Sequence, residues 1–201
     1  MERYIVSHVL DSAGLDLIFR EARTRNGWTD EPLTDAAIQE IYALAKFGPT
    51  SVNMSPARFV WVTSAEGKEK LAALSSGTNG AKILKAPATV IIGYDPDFHE
   101  TLPKLFPHVP SAKHWFPDAA ARAEAAFRNS SLQGAYLIIA ARALGYDTGP
   151  MSGFDNAAVD EAFFSGTNIK SNFICSIGKG TDENRFPRSQ RLTFEEANRI
   201  V

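Results

Sequence analysis

The chain has 201 residues, of which 44% are apolar and 22% charged, and 21 Lys and Arg against 23 Asp and Glu leave a net charge of −2. That length suits a single domain, residues 1–201, able to bury about 70% of its unfolded surface without a metal or disulfide. The near-neutral charge gives no sign of a nucleic-acid or anionic-membrane partner, and a lone cysteine excludes an intrachain disulfide and leans towards a reducing cytoplasm.

Glu2, Arg3, His8 and Asp11 interrupt any apolar start, so no secretory leader is expected. Residues 7–24 read as a first helix, with Leu10, Leu15, Leu17, Ile18 and Phe19 at roughly helical spacing. A second helix is predicted over 35–47, capped by Thr34, burying Ile38, Ile41, Tyr42 and Ala45, and stopped by Gly48 and Pro49. Residues 57–63 form a strand candidate, and Ser64 caps a short helix through Leu74. Residues 88–94, ATVIIGY, read as an apolar strand covered on both faces.

Residues 95–117 differ. Pro96, Pro103, Pro107, Pro110 and Pro117 argue against a regular element, and Phe98, Phe106, Trp115 and Phe116 suit either a cover over an apolar cavity or an aromatic-anchored surface loop. The longest helix is expected over 118–144, capped by Asp118 and ended by Gly145. Its second half, GAYLIIAARAL, is apolar almost all round and so predicts burial on every side, but it is too short to span a bilayer. A short helix over 156–164, a strand over 172–178 and a last helix over 193–200 capped by Thr193 complete the chain. Helices outweigh strands without strict alternation, which indicates an α+β layered fold.

Several chemistries lack their signatures. There is no GxGxxG, no GxxxxGK[ST] and no HExxH. In GPMSGF (149–154) the serine stands fourth rather than third, so it is no hydrolase elbow. The histidines, at 8, 99, 108 and 114, lack metal-ligand spacing, and Cys175, inside the apolar run FICSIG, reads as a buried hydrophobe rather than a nucleophile. What remains is dispersed: Arg23, Thr24, Arg25 and Asn26; Thr50, Ser51, Asn53 and Ser55; Asn79 and Lys82; Arg188 and Arg191. Singly, each has a plain structural explanation. Together they suit a phosphate on a polyhydroxylated chain joined to a polar heterocycle, which describes flavin mononucleotide (FMN).

The segments ARTRNGW (22–28), EIYALAKFGPTSVNMSPARFV (40–60), AFRNSSLQGAYLI (126–138) and ALGYDTGPMSGFD (143–155) carry a resemblance from about residue 15 onward. The chain resembles the FMN-dependent nitroreductase superfamily and, within it, is similar to the short bacterial malonic semialdehyde reductases of pyrimidine catabolism. The resemblance implies an intertwined homodimer, a central mixed or antiparallel sheet flanked by helices, and two interfacial FMN sites. Arg23 and Thr24 then match a pair holding the FMN phosphate and ribityl oxygens, with Asn26 as a further polar contact. Pro49, Thr50, Ser51, Asn53 and Ser55 match a segment reaching the flavin of the other subunit, Ser55 standing where the family has Gln. Asn79 and Lys82 match groups facing the pyrimidine edge. Pro150, Met151, Ser152 and Gly153 match a turn whose backbone N–H groups approach the flavin, Ser152 replacing a Glu. Arg188 and Arg191 match a basic pair closing on the phosphate.

The implied activity is ping-pong transfer of a hydride from NADPH or NADH, through the flavin, to a small carbonyl or nitro compound. No catalytic protein side chain is required. For 3-oxopropanoate, Arg58 and Arg128 are the candidate carboxylate partners, and Phe106 and Trp115 the candidate covers. A broad nitro-, quinone- or enone reductase and a non-catalytic flavin-binding dimer are the competing readings.

Overall fold

This computed structural model describes residues 9–201. Helix α1 (Ser12–Leu15), capped by the Asp11 carboxylate on the Gly14 N–H at 2.8 Å, runs into a π-helical turn, Asp16–Arg20. The helix expected over 7–24 is therefore shorter: residues 7 and 8 lie outside the described residues, and it stops at Arg20. The Arg23 guanidinium takes the carbonyls of Arg20 and Ala22, replacing the backbone bonds that would have continued it. Of the apolar side chains on this segment only Ile18 is buried; Leu10, Leu15, Leu17 and Phe19 are exposed.

Strand β1 (Gly27–Trp28) follows, then α2 (Asp35–Ala45), where the Thr34 hydroxyl accepts the Ala37 N–H at 3.2 Å. Ile41 and Ala45 are buried as expected, whereas Tyr42 faces outward. Next come β2 (Ala57–Val62), α3 (Ala65–Ala73) capped by Ser64, α4 (Asn79–Lys85) and β3 (Ala88–Tyr94). The proline-dense stretch is more ordered than its composition suggests. It forms 3-10 turns at Phe98–Thr101 and Pro110–His114 around α5 (Leu102–Leu105), with Pro103 and Pro110 in first turns, where a missing N–H costs nothing. Phe98, Leu102 and Ala112 pack on Met54 and Ala126 as a small core of their own.

Helix α6 (Ala119–Ala143) spans 25 residues, with Asp118 accepting the Ala121 N–H at 2.7 Å. The remaining elements are β4 (Asp147–Met151), α7 (Asn156–Phe164), β5 (Lys170–Gly178), β6 (Gly180–Thr181) and α8 (Phe194–Ala197), the last closed by a Thr193–Glu196 capping box. The main sheet is antiparallel, in the order β2-β3-β5-β4, and β1 pairs with β6 beside it.

Alternation along β3 builds both layers. Val90 and Ile92 point at α2 and α6 together with Cys175, Ile177 and Leu137, while Ile91 points the other way, to Leu71 of α3, Ile83 of α4 and Val159 of α7. The fold is thus α+β, a sheet between helical layers. The apolar half of α6 is not covered on every side within one chain: Tyr136 is 39% exposed, and Leu132 and Phe127, ahead of that half, are 47% and 49% exposed. Among the described residues, no helix is long and apolar enough to cross a membrane.

Candidate functional site

The Arg20–Asn26 segment, α4, the end of α6 and the chain after β6 converge on one concavity of about 360 Å³. Arg23, Lys82, Arg142, Arg188 and Arg191 line it together with Thr24 and Asn26, and no Asp or Glu does. Five cations around one space with no counter-ion make an anion-binding site by composition. The guanidiniums are held by carbonyls instead of carboxylates. Arg188 donates to Phe19 and Ala22, each at 3.0 Å, and Arg191 to Ser189 at 2.9 Å. Asn26 is buried and fastens the segment to the later chain through the Asn184 carbonyl at 2.9 Å.

Arg25 faces the other way. Its Nε meets Asp147 at 3.1 Å and its Nη1 meets Asp182 at 2.6 Å. Burial alone would lower its pKa, but the hydrogen bonds to Asp182 and Asp147 outweigh that and raise it. This clamp fixes the strand-like stretch so that its neighbours Thr24 and Asn26 both reach the cavity.

Two further concavities adjoin the first and share Asn26 and Lys82 with it. One is lined by Gly149, Pro150 and Met151 of β4. A Cβ on Gly149 would stand 2.7 Å from the Arg25 carbonyl, so the chain passes here only as glycine. The resemblance implies a turn over 150–153; Pro150 and Met151 instead end β4, and Ser152 and Gly153 follow it. Asn79 begins α4 and donates to the Gly153 carbonyl at 3.1 Å, tying that end of the site together. Ser152 is exposed.

The segment from Pro49 to Ser55 is not brought to the cationic cavity within this chain. Ser55 instead lines a separate concavity of about 590 Å³ with Tyr42, Arg58, Phe59 and Trp61. The segment is strained: Val52, Asn53 and Ser55 have φ of 45°, 52° and 40°, at a cost of about 1–3 kcal/mol each. Buried amides of α6 hold it. Asn129 accepts the Ser51 N–H at 2.9 Å and Gln133 the Ala57 N–H at 2.8 Å, while Asn53 donates to Leu105 at 2.8 Å. Neither proposed carboxylate partner is free. Arg58 pairs with Asp95 at 2.7 Å and Arg128 with Glu124 on the exposed face of α6. Phe106 stacks near His108 and Trp115, and Trp115 is half-exposed.

Sequence reasoning missed Arg142, Asn129 and Gln133. The available signal was polarity out of place: Arg142 is the only charged residue in GAYLIIAARAL, and Asn129 and Gln133 lie four apart on one face of the same helix. Cys175 is fully buried and its thiol is pushed up to about 12, chiefly by burial, so it is an inert core residue. No group of three His, Cys, Asp or Glu able to hold a metal occurs among the described residues.

Residues 20–179 match the Nitroreductase family. A protein of Caulobacter sp. (strain K31), provisionally named NADH dehydrogenase/NAD(P)H nitroreductase, is 65% identical over 192 residues, 96% of this chain and 98% of that one. One of Stenotrophomonas maltophilia (strain R551-3), with the same provisional name, is 60% identical over 98% of this chain and 100% of its own. Among solved structures, a provisionally named nitroreductase from Exiguobacterium sibiricum 255-15, in complex with FMN, superposes with a TM-score of 0.85 at 24% identity, over 97% of this chain and 99% of that one. The fold, the length matched and the identity to these relatives establish that the chain belongs to the Nitroreductase family.

Proposed function

We propose that the protein is an FMN-dependent NAD(P)H oxidoreductase acting as a cytoplasmic homodimer. The observation that carries this reading is the concavity lined by Arg23, Lys82, Arg142, Arg188 and Arg191 with no carboxylate. Its donor set fits FMN: guanidiniums for a phosphate dianion, Thr24 and Asn26 for the ribityl hydroxyls, and Lys82 and Asn79 for the polar edge of the ring. The chemistry that bound FMN supplies is hydride exchange between NAD(P)H and an acceptor. The chain's own residues bind, orient and polarise. Lys82 offers positive charge where a reduced ring gathers negative charge. Pro150, Met151, Ser152 and Gly153 offer backbone, and Asn79 keeps that backbone in place.

The homodimer is supported by apolar surface that one chain leaves open. Leu15, Leu17, Phe19, Tyr42, Leu44, Phe47, Leu132 and Tyr136 are all exposed, apolar surface that a second chain would cover. Pairing of two chains would also let Thr50, Ser51, Asn53 and Ser55 of one copy reach the flavin of the other, which explains why strain is tolerated there.

For the acceptor, the likeness of the quoted segments to malonic semialdehyde reductases supports reduction of 3-oxopropanoate to 3-hydroxypropanoate. The ion pairs that occupy Arg58 and Arg128, and the names of the relatives, support a broad NAD(P)H nitroreductase as the second reading. Steady-state NADPH and NADH oxidation with 3-oxopropanoate and with a nitroarene separates them. A kcat/KM favouring the nitroarene by orders of magnitude rejects the aldehyde reading. Protein that stays colourless after FMN is added and dialysed rejects both.

A further inference from the structure

Arg142 stands apart from the other four cations of the cavity. It lies in the last turn of α6, where a surface arginine would merely complement the helix dipole, yet it is partly buried and points across to the first helical segment. Its Nη1 donates to the Ile18 carbonyl at 3.3 Å. Two more guanidiniums arrive at the same short stretch: Arg23 takes the Arg20 and Ala22 carbonyls, and Arg188 takes Phe19 and Ala22. Carbonyls from residues 18–22 thus anchor three guanidiniums, one from the adjoining Arg23 and two, Arg142 and Arg188, from distant parts of the chain.

Carbonyl anchoring orients these groups but does not neutralise them. Burial lowers the basicity of Arg142, and Arg188 lowers it further, while Asp147, the carboxylate that acts on it, is already engaged by Arg25 and the Gly180 N–H. Arginine keeps its proton under such pressure, so a partly buried cation remains without a dedicated counter-ion. Each guanidinium has five N–H groups in a plane, and the anchoring bonds leave several of them free to donate.

We propose that Arg142 is an anion-binding residue of this cavity, held in position by the Ile18 carbonyl and recognising the phosphate of the bound cofactor. The proposal rests on the FMN reading above. It makes the α1–π-turn segment part of the binding device: the Ile18 carbonyl fixes the guanidinium, and the phosphate relieves the repulsion between Arg142 and Arg188.

The test compares FMN with riboflavin, which lacks the phosphate. Protein stripped of flavin is titrated with each, following quenching of flavin fluorescence, for the wild type, Arg142→Met and Arg142→Lys. The Met variant keeps an unbranched apolar stem and removes the guanidinium and its charge. Its FMN dissociation constant is expected to rise about tenfold or more, with riboflavin changed by less than about twofold and Lys intermediate. An equal loss for both flavins, or no loss for either, overturns the proposal and leaves Arg142 a structural tether. Should Arg142→Met fail to fold, Arg142→Lys decides it: an FMN-over-riboflavin preference equal to wild type overturns the proposal. A wild type that binds neither flavin overturns the FMN reading itself, a different result from a wild type that binds FMN through other residues.

Discussion

The amide of Asn79, at the first turn of α4, donates to the carbonyl of Gly153, 74 residues later in the chain, at 3.1 Å. The same carbonyl accepts the Ser76 N–H at 3.0 Å, so two groups from one loop fix the backbone after β4. A Cβ on Gly153 would stand 2.7 Å from the Asn79 amide, so the two positions are shaped to each other. Asn79 is therefore a positioning residue for the segment that lines the site, as well as a candidate ring contact.

Asn79→Ala is expected to cost about 1 kcal/mol of stability and to weaken FMN binding as the 150–153 backbone loosens. Urea unfolding read with and without FMN checks this. If the holo and apo forms lose equal stability, the substitution does not touch flavin binding.

Lys82 lines all three adjoining concavities. Removing its charge by Lys82→Ala takes a cation from the edge where a reduced ring would hold negative charge, so the flavin becomes harder to reduce. The bound-flavin reduction potential is expected to fall, with FMN affinity falling alongside it. Unchanged values of both would place Lys82 outside the site.

Asn53→Ala addresses the second chain. The strained segment around Asn53 lies apart from the cationic cavity of its own chain and is predicted to act on the partner's flavin. In mixed dimers carrying one mutant chain, one FMN site is expected to weaken and the other to remain normal. Two equivalent normal sites contradict the cross-subunit assignment.

Cys175 gives a pH prediction. Burial holds its thiol pKa up at about 12 against an ordinary 9.0, opposed only in part by a backbone hydrogen bond and by Arg142. The unfolded chain therefore gives up this proton first. The stability linked to it is complete below pH 9.0 and drains away as pH rises towards 12. Wild-type protein should lose urea stability across that window more steeply than Cys175→Ala does. Superimposable slopes for the two proteins would show that the thiol titrates as freely in the fold as out of it.

Much of this architecture was legible in the sequence. Residues 88–94 appear as β3 with both faces covered because an unbroken apolar run has no polar face to turn outward. The caps at Thr34, Ser64, Asp118 and Thr193 were readable from their hydroxyls and carboxylate alone. Strand β4 was not, because Pro150, Met151, Ser152 and Gly153 match a turn in the resemblance. Proline is tolerated there since β4 forms the edge of the sheet and, apart from a bridge between Thr148 and Thr24, pairs only with β5. Helix α4 was hidden by Asn79 and Gly80 in its first turn, and the short first helix by arginines whose side chains, not their propensities, end it. In the candidate site, Arg23, Thr24, Asn26, Lys82, Arg188 and Arg191 line one concavity although they come from segments far apart in the sequence. Arg142 escaped notice because burial of a charge is a tertiary fact, set by α6 packing beside the first helical segment. The 49–55 segment lies apart from the cationic cavity of its own chain, a separation that periodicity and composition do not encode.

The most direct measurement is of cofactor content and mass together: purified protein, heat-released flavin identified and counted, and molar mass by light scattering. The account predicts a yellow particle of two chains holding one FMN per chain. A colourless single chain that takes up no added FMN contradicts it.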